Sequence, residues 1–161
     1  MEQLWRDWRM QYIEAAREPD AGCIFCDLQN QEPEEAFLLA KRTKAFALMN
    51  LYPYNPGHLM IAPLRHTGSL EDLDPDEMAE MGKLLQEAVD VVAMAMHPDG
   101  YNVGMNLGRV AGAGVPDHVH WHVVPRWNGD ANFMPIVGET RVLPEAVADT
   151  WRKLRPGFSP R

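Results

Sequence analysis

His118-Val119-His120-Trp121-His122-Val123-Val124-Pro125-Arg126 is the stretch on which the reading of this chain turns. Side chains of a β-strand alternate between its two faces, so histidines at i, i+2 and i+4 share one face. Their backbones then stand roughly 6–7 Å apart along that face. The other face carries Val119, Trp121 and Val123, an apolar pattern suited to a core. Three of the six histidines fall within these five positions. Such a row points either to a metal held by the three imidazoles or to phosphoryl chemistry with one imidazole as nucleophile.

Upstream lies Gly108-Arg109-Val110-Ala111-Gly112-Ala113-Gly114, a turn whose backbone N–H groups can face an anion. It lacks the Lys-Ser/Thr that closes a P-loop, and no long helical pattern follows it, which excludes a nucleoside-triphosphate P-loop. Further upstream, Tyr52-Pro53-Tyr54-Asn55-Pro56-Gly57 reads as a loop. It separates apolar runs expected as strands at Phe37–Ala40, Ala45–Met49 and His58–Ala62. Asp74, Pro75 and Glu77 form an N-cap, first-turn proline and capping box. The helix they open carries Met78, Met81, Leu85, Ala88, Val92 and Ala95 at a 3–4-residue period, read as core packing, and Pro98-Asp99-Gly100 ends it.

Tyr101–Asn106 and His118–Val124 supply two more strands. Leu4, Trp5, Trp8, Tyr12 and Ile13 predict a helix over residues 3–17, and Val147, Trp151 and Leu154 predict one over 144–155. Pro156-Gly157 stops the latter, with a frayed end expected beyond. About five short strands around one long helix predict an α+β domain on an antiparallel sheet, a single domain over 1–161 with the terminal helices as extensions.

Composition narrows the function class. Hydrophobic residues make up 46% and charged ones 24%, ordinary for a globular protein. No apolar run reaches the roughly 18–20 residues of a membrane span, and the first residues lack the pattern of a signal peptide, so a cytoplasmic protein without a membrane partner is expected. The net charge of −8 argues against a nonspecific grip on nucleic acid, though it leaves room for a local phosphate site. The two cysteines, Cys23 and Cys26, two residues apart, suggest metal or redox chemistry rather than a disulfide framework.

The triple-histidine stretch resembles the His-φ-His-φ-His-φ-φ signature of the histidine triad superfamily (φ, apolar). Phe46-Ala-Leu-Met-Asn50 and Asn55-Pro-Gly-His58-Leu-Met-Ile-Ala-Pro63 are similar to that superfamily's other nucleotide-site segment, and the resemblance covers roughly residues 23–128. Pro125–Pro135 resembles the bacterial branch of diadenosine tetraphosphate phosphorylases and ATP adenylyltransferase-like proteins. The resemblance implies the HIT-like fold and a homodimer with a continuous sheet. It implies that His120 attacks the α-phosphorus of a nucleotide, and that the nucleotidyl-histidine is resolved by water, phosphate or another acceptor. It assigns His122 and His58 to phosphate contact or to holding the triad, Asn50 to the ribose, and Asn106, with Gly112 and Gly114, to the phosphates. Many relatives place a hydroxyl residue just before the triad; here Gly114-Val115 stands there, which favours a substrate that already carries a good leaving group, such as a polyphosphate.

The same resemblance implies a structural zinc held by Cys23, Cys26, His66 and His118, the four ligands of a closed site. His118 is then a structural ligand while His120 does the chemistry. The substrate expected is a nucleotide or dinucleoside polyphosphate. The alternatives are a zinc-dependent hydrolase using the histidine cluster as ligands, or a non-catalytic nucleotide-binding protein on the same fold. Trp127, Asn128, Asp130, Asn132 and Phe133 follow the triad as candidates for selectivity, Trp127 either stacking on a base or packing in an interface.

Overall fold

The computed structural model describes residues 22–130 and 145–158. The helix expected over 3–17, the first residue of that expected over 144–155, and Asn132 and Phe133 lie outside the described residues. The elements run α1 (Ile24–Leu28), β1 (Leu38–Lys41), β2 (Ala45–Met49), β3 (Leu59–Pro63), α2 (Pro75–Met96), β4 (Gly100–Met105), β5 (Trp121–Arg126) and α3 (Val147–Leu154). The five strands form one antiparallel sheet in the order β1-β2-β3-β5-β4. This is the α+β arrangement that the alternation of short apolar runs and one long helix implied.

Strand periodicity sorts the core into two layers. On β2, Ala45, Ala47 and Met49 face one side with Leu59 and Ile61 of β3 and Val123 of β5, where Met81, Leu84, Ala88, Val91 and Val92 of α2 cover them. Phe46 and Leu48 face the other side, with Ala62, Leu38 and Phe25 of α1. Because Met60 pairs with both Leu48 and His122, the even-numbered histidines belong to this second face, away from α2.

The long helix begins as its first residues dictate. Asp74 accepts from the Glu77 N–H at 2.7 Å, and Glu77 accepts from the Asp74 N–H at 2.9 Å, completing the capping box. Glu77 also takes two bonds from Arg65, at 2.7 and 2.9 Å, tying the helix start to the segment after β3. At the far end His97 adopts the left-handed conformation of a C-cap, φ 49°. The methionine stripe is only partly core: Met81 is fully buried, whereas Met78 is 38% exposed and Leu84 and Val91 fill the seam instead.

Two boundaries differ from expectation. The ladder of β5 begins at Trp121, so His118 and His120 precede it; there the Val119 N–H turns to the Thr67 carbonyl, at 2.7 Å, in place of a strand partner. At the C-terminus Pro156-Gly157 does not release the chain, because Arg155–Phe158 continues as a 3-10 turn and Phe158 is buried against the α2 face. Gly157 makes that approach possible: a Cβ there would lie 2.7 Å from Val91 Cγ1.

Candidate functional site

The histidines keep their alternation although only His122 stands in the ladder. His120 and His122 rings lie 4.8 Å apart, and His58, at the mouth of β3, is 5.1 Å from His122. His58 is fully buried and His120 is 5% exposed. Burial holds all three neutral: desolvation pushes His58 down to about 3 and His120 to about 4, with neighbouring imidazoles adding to it, and lowers His122 as well.

Neutral imidazoles carry one proton each, and the surrounding backbone decides where. The His120 Nδ1 lies 2.8 Å from the His118 carbonyl, which can only accept. Nδ1 therefore bears the proton and Nε2 is left as a lone pair. The Tyr54 N–H donates to His58 Nδ1 at 3.0 Å, so the His58 proton sits on Nε2, which lies 2.9 Å from His122 Nδ1. His122 accepts there and keeps Nε2–H as a donor. A nucleophilic nitrogen on His120 thus stands beside a hydrogen-bond donor on His122, the pairing needed to attack a phosphorus and hold its oxygens. Tyr54 stacks on His58 at 4.8 Å.

Asn50 ends β2 beside this group. Its Oδ1 accepts from the Tyr52 N–H at 2.8 Å, which turns its amide nitrogen to the His58 edge, 3.4 Å away. Asn106, past the end of β4, reaches the Gly112 carbonyl at 3.5 Å. Gly112 has φ +90° and closes a 3-10 turn over Arg109–Ala111. The amides of Ala111, Gly112 and Ala113 are spent inside that turn on the carbonyls of Gly108 and Arg109, so these three do not form the open anion nest that the glycine spacing suggested. Gly114 follows, exposed, ahead of the histidines.

On the other side of His120 four ligand atoms converge. Those of Cys23, Cys26, His66 and His118 all lie within 4.8 Å of one another. Cys23 Sγ is 3.2 Å and Cys26 Sγ 3.7 Å from His118 Nδ1, and Cys26 Sγ is 3.5 Å from His66 Nδ1. The edges of a tetrahedron around zinc with two thiolates and two imidazoles are roughly 3.3–3.8 Å, so these separations fit. The His118 Nε2 donates to the Pro63 carbonyl at 2.8 Å, which fixes the tautomer and aims a bare Nδ1 at the sulfurs. Burial holds His118 near 4, neutral and ligand-ready, and pushes the Cys26 thiol up to about 11, with Cys23 adding to it. A divalent cation would reverse that cost by binding the thiolate.

Sequence reasoning passed over Phe25, between the cysteines, whose ring lies 4.7 Å from that of His120 and 5.2 Å from that of His118. It also left Asn55 without a role, although Asn55 sits in the quoted Asn-Pro-Gly-His segment. Asp130 reaches Asn55 and Arg126, while Trp127 is half-buried and gives its N–H to Asp130 at 3.1 Å.

The HIT domain family model matches residues 31–129. An AP-4-A phosphorylase of Mycobacterium tuberculosis is 42% identical over 161 residues, covering 96% of this chain and 83% of that protein. An adenosine 5'-monophosphoramidase of Saccharomyces cerevisiae is 36% identical over 110 residues, 66% of this chain and 64% of that one. Among solved structures, a zinc-bound histidine triad family protein from Mycobacterium smegmatis superposes with a TM-score of 0.69 at 28% identity, covering 86% of this chain and 94% of that chain.

Proposed function

This chain belongs to the HIT domain family, the histidine triad proteins, and we propose that it cleaves a dinucleoside polyphosphate or related adenylylated compound at the α-phosphate through a nucleotidyl-His120 intermediate. The observation that carries the reading is the 2.8 Å bond from His120 Nδ1 to the His118 carbonyl, which leaves Nε2 as the attacking lone pair. Its bond to the α-phosphorus forms as the bond from phosphorus to the departing polyphosphate oxygen breaks. The charge gained by the ring is met by the His118 carbonyl, and His122 Nε2–H serves the phosphate oxygens. Water or inorganic phosphate then attacks the same phosphorus as the phosphorus–Nε2 bond breaks; its proton passes to solvent, and His120 returns as a neutral imidazole still protonated at Nδ1. Asn50 borders the ribose, and Asn106, Gly112 and Gly114 border the phosphates. The 42% identical relative named for AP-4-A phosphorolysis supports a polyphosphate substrate, as does the absence of a hydroxyl side chain at Gly114-Val115.

Cys23, Cys26, His66 and His118 would hold a zinc whose four places are all filled by protein, so its part is to cross-link α1 to the histidine segment. The donor set supports this over a zinc-dependent hydrolase. Among the described residues the group able to hold a metal contains His118 but neither His120 nor His122. A homodimer fits the sheet, since β4 pairs with β5 alone among the described strands and carries an exposed Val103. No helix among the described residues is long and apolar enough to cross a membrane.

Wild type and His120→Ala incubated with diadenosine tetraphosphate, with and without inorganic phosphate, test the reading by their products. Wild-type turnover with His120→Ala reduced at least about 10³-fold is expected, the scale set by loss of a covalent nucleophile. Equal turnover by the two forms removes the nucleophile, and binding without turnover by the wild type favours the non-catalytic reading. Adenosine diphosphate formed only with phosphate marks phosphorolysis, whereas adenosine monophosphate without it marks hydrolysis.

A further inference from the structure

The loop before β3 does more than connect strands. The His58 N–H donates to the Asn55 carbonyl at 3.1 Å, and the Tyr54 N–H donates to His58 Nδ1 at 3.0 Å, so two of the bonds that seat His58 go to or come from residues 54–55, beside the Asn50 N–H on its carbonyl and His122 on its Nε2. The Asn55 side chain in turn leaves the loop. Its Nδ2 donates to the Pro125 carbonyl at 3.0 Å and to Asp130 Oδ2 at 2.8 Å, using both amide protons on the far end of β5. Asp130 is itself locked by a two-bond pair with Arg126, at 2.6 and 2.8 Å, and is only 11% exposed at its side chain. That pair holds the Asp130 carboxyl well below the usual carboxylate range, so it is a permanent acceptor at neutral pH. The turn that lets Asn55 face β5 needs Gly57, which has φ +78° and leaves room for Met96 Sδ 2.9 Å and Pro125 Cγ 3.1 Å from where a Cβ would stand.

We infer that Asn55, clamped between the Pro125 carbonyl and Asp130, is a positioning residue that sets which nitrogen of His58 bears the proton and, through it, which nitrogen of His122 donates to substrate. The inference rests on the proposed role of His122 toward phosphate. The clamp keeps the Tyr54 N–H aimed at His58 Nδ1; without it that imidazole is free to hold its proton on either nitrogen. A proton on His58 Nδ1 would leave Nε2 bare, and His122 would have to donate to it from Nδ1. His122 Nε2 would then be a lone pair facing the phosphate oxygens, and the donor would be lost. The relay therefore acts on transition-state stabilisation more than on substrate binding.

Asn55→Asp is the probe, because it keeps the shape and replaces the two donors with acceptors facing Pro125 and Asp130. Long-range 15N–1H NMR of the histidine rings, recorded without substrate, reads the protonated nitrogen directly. In the wild type His58 and His122 are expected each as a single Nε2–H tautomer, and in Asn55→Asp as mixtures. Turnover of the same folded variant is expected to fall roughly 10- to 100-fold in kcat, with KM changed much less. Asp130→Asn approaches the clamp from its other end, retains an acceptor and is expected to give a smaller change of the same kind, which guards against a fold defect peculiar to Asn55→Asp. Unchanged tautomers in a folded Asn55→Asp protein overturn the inference, whatever happens to the rate. His120→Ala separates it from the functional reading: full activity in that variant defeats the proposed chemistry, while the tautomers of His58 and His122 still report on the clamp.

Discussion

At the scale of single residues, this protein takes His58, His118 and His120 out of water and gives each of these rings one backbone partner. His58 illustrates the consequence for stability. Burial lowers it to about 3, while an unfolded histidine titrates near 6.5. Between those values the unfolded chain binds the proton and the folded chain does not, so stability is full above about pH 6.5 and falls as the pH drops toward 3. The limiting slope is about 1.4 kcal/mol per pH unit for one such histidine. Denaturant unfolding of the wild type and His58→Gln between pH 4.5 and 7 is expected to show a shallower decline in the variant. Parallel curves would mean that His58 is protonated in the folded protein.

Among the elements, α1 is the shortest of the described α-helices and cannot stand by its own helical bonding. A five-residue helix is far below the length at which helices persist alone, and α1 has no side-chain cap. It is held by Phe25 in the second core layer and by its cysteines facing His66 and His118. If these residues hold zinc as proposed, replacing both Cys23 and Cys26 by serine is expected to lower the zinc stoichiometry read by metal analysis and to lower the Tm of the protein. It is also expected to reduce turnover, since Phe25 packs on the ring of His120. Unchanged metal stoichiometry in that protein would sink the assignment of these ligands. The long helix α2 contrasts with this: its capping box and its buried seam are written into its own consecutive turns, and the Glu77–Arg65 pair adds a tie to the segment after β3.

For the whole molecule, the sheet has one face under α2 and α3 and the other bearing the site, with β4 at one edge. Val103 on β4 is 43% exposed, and Leu107 and Val110 just beyond it are 46% and fully exposed. Apolar residues at an unpaired edge invite a second strand, and a charge there opposes one. Sedimentation equilibrium is expected to give twice the 18.2 kDa chain mass for the wild type and to shift toward one chain mass for Val103→Lys. A monomeric wild type at micromolar concentration would remove the homodimer from the proposal.

How much of this was legible beforehand follows from what strands and helices encode locally. The alternation of His118, His120 and His122 against Val119, Trp121 and Val123 set the site on one face, because side-chain direction in extended chain depends only on sequence position. The capping box and the five apolar runs set the α+β class for the same local reason. The start of the β5 ladder escaped, because whether Val119 bonds a strand or Thr67 depends on where the chain after β3 turns. The buried Phe158 escaped too, since Pro-Gly signals a stop locally but says nothing of the space beside Val91. The residue types for chemistry and for metal binding are thus properties of the sequence. The tautomer of each imidazole was decided only by the tertiary structure, because the carbonyls of His118 and Pro63 and the amide of Tyr54 acquire their directions only once the sheet and its loops have closed.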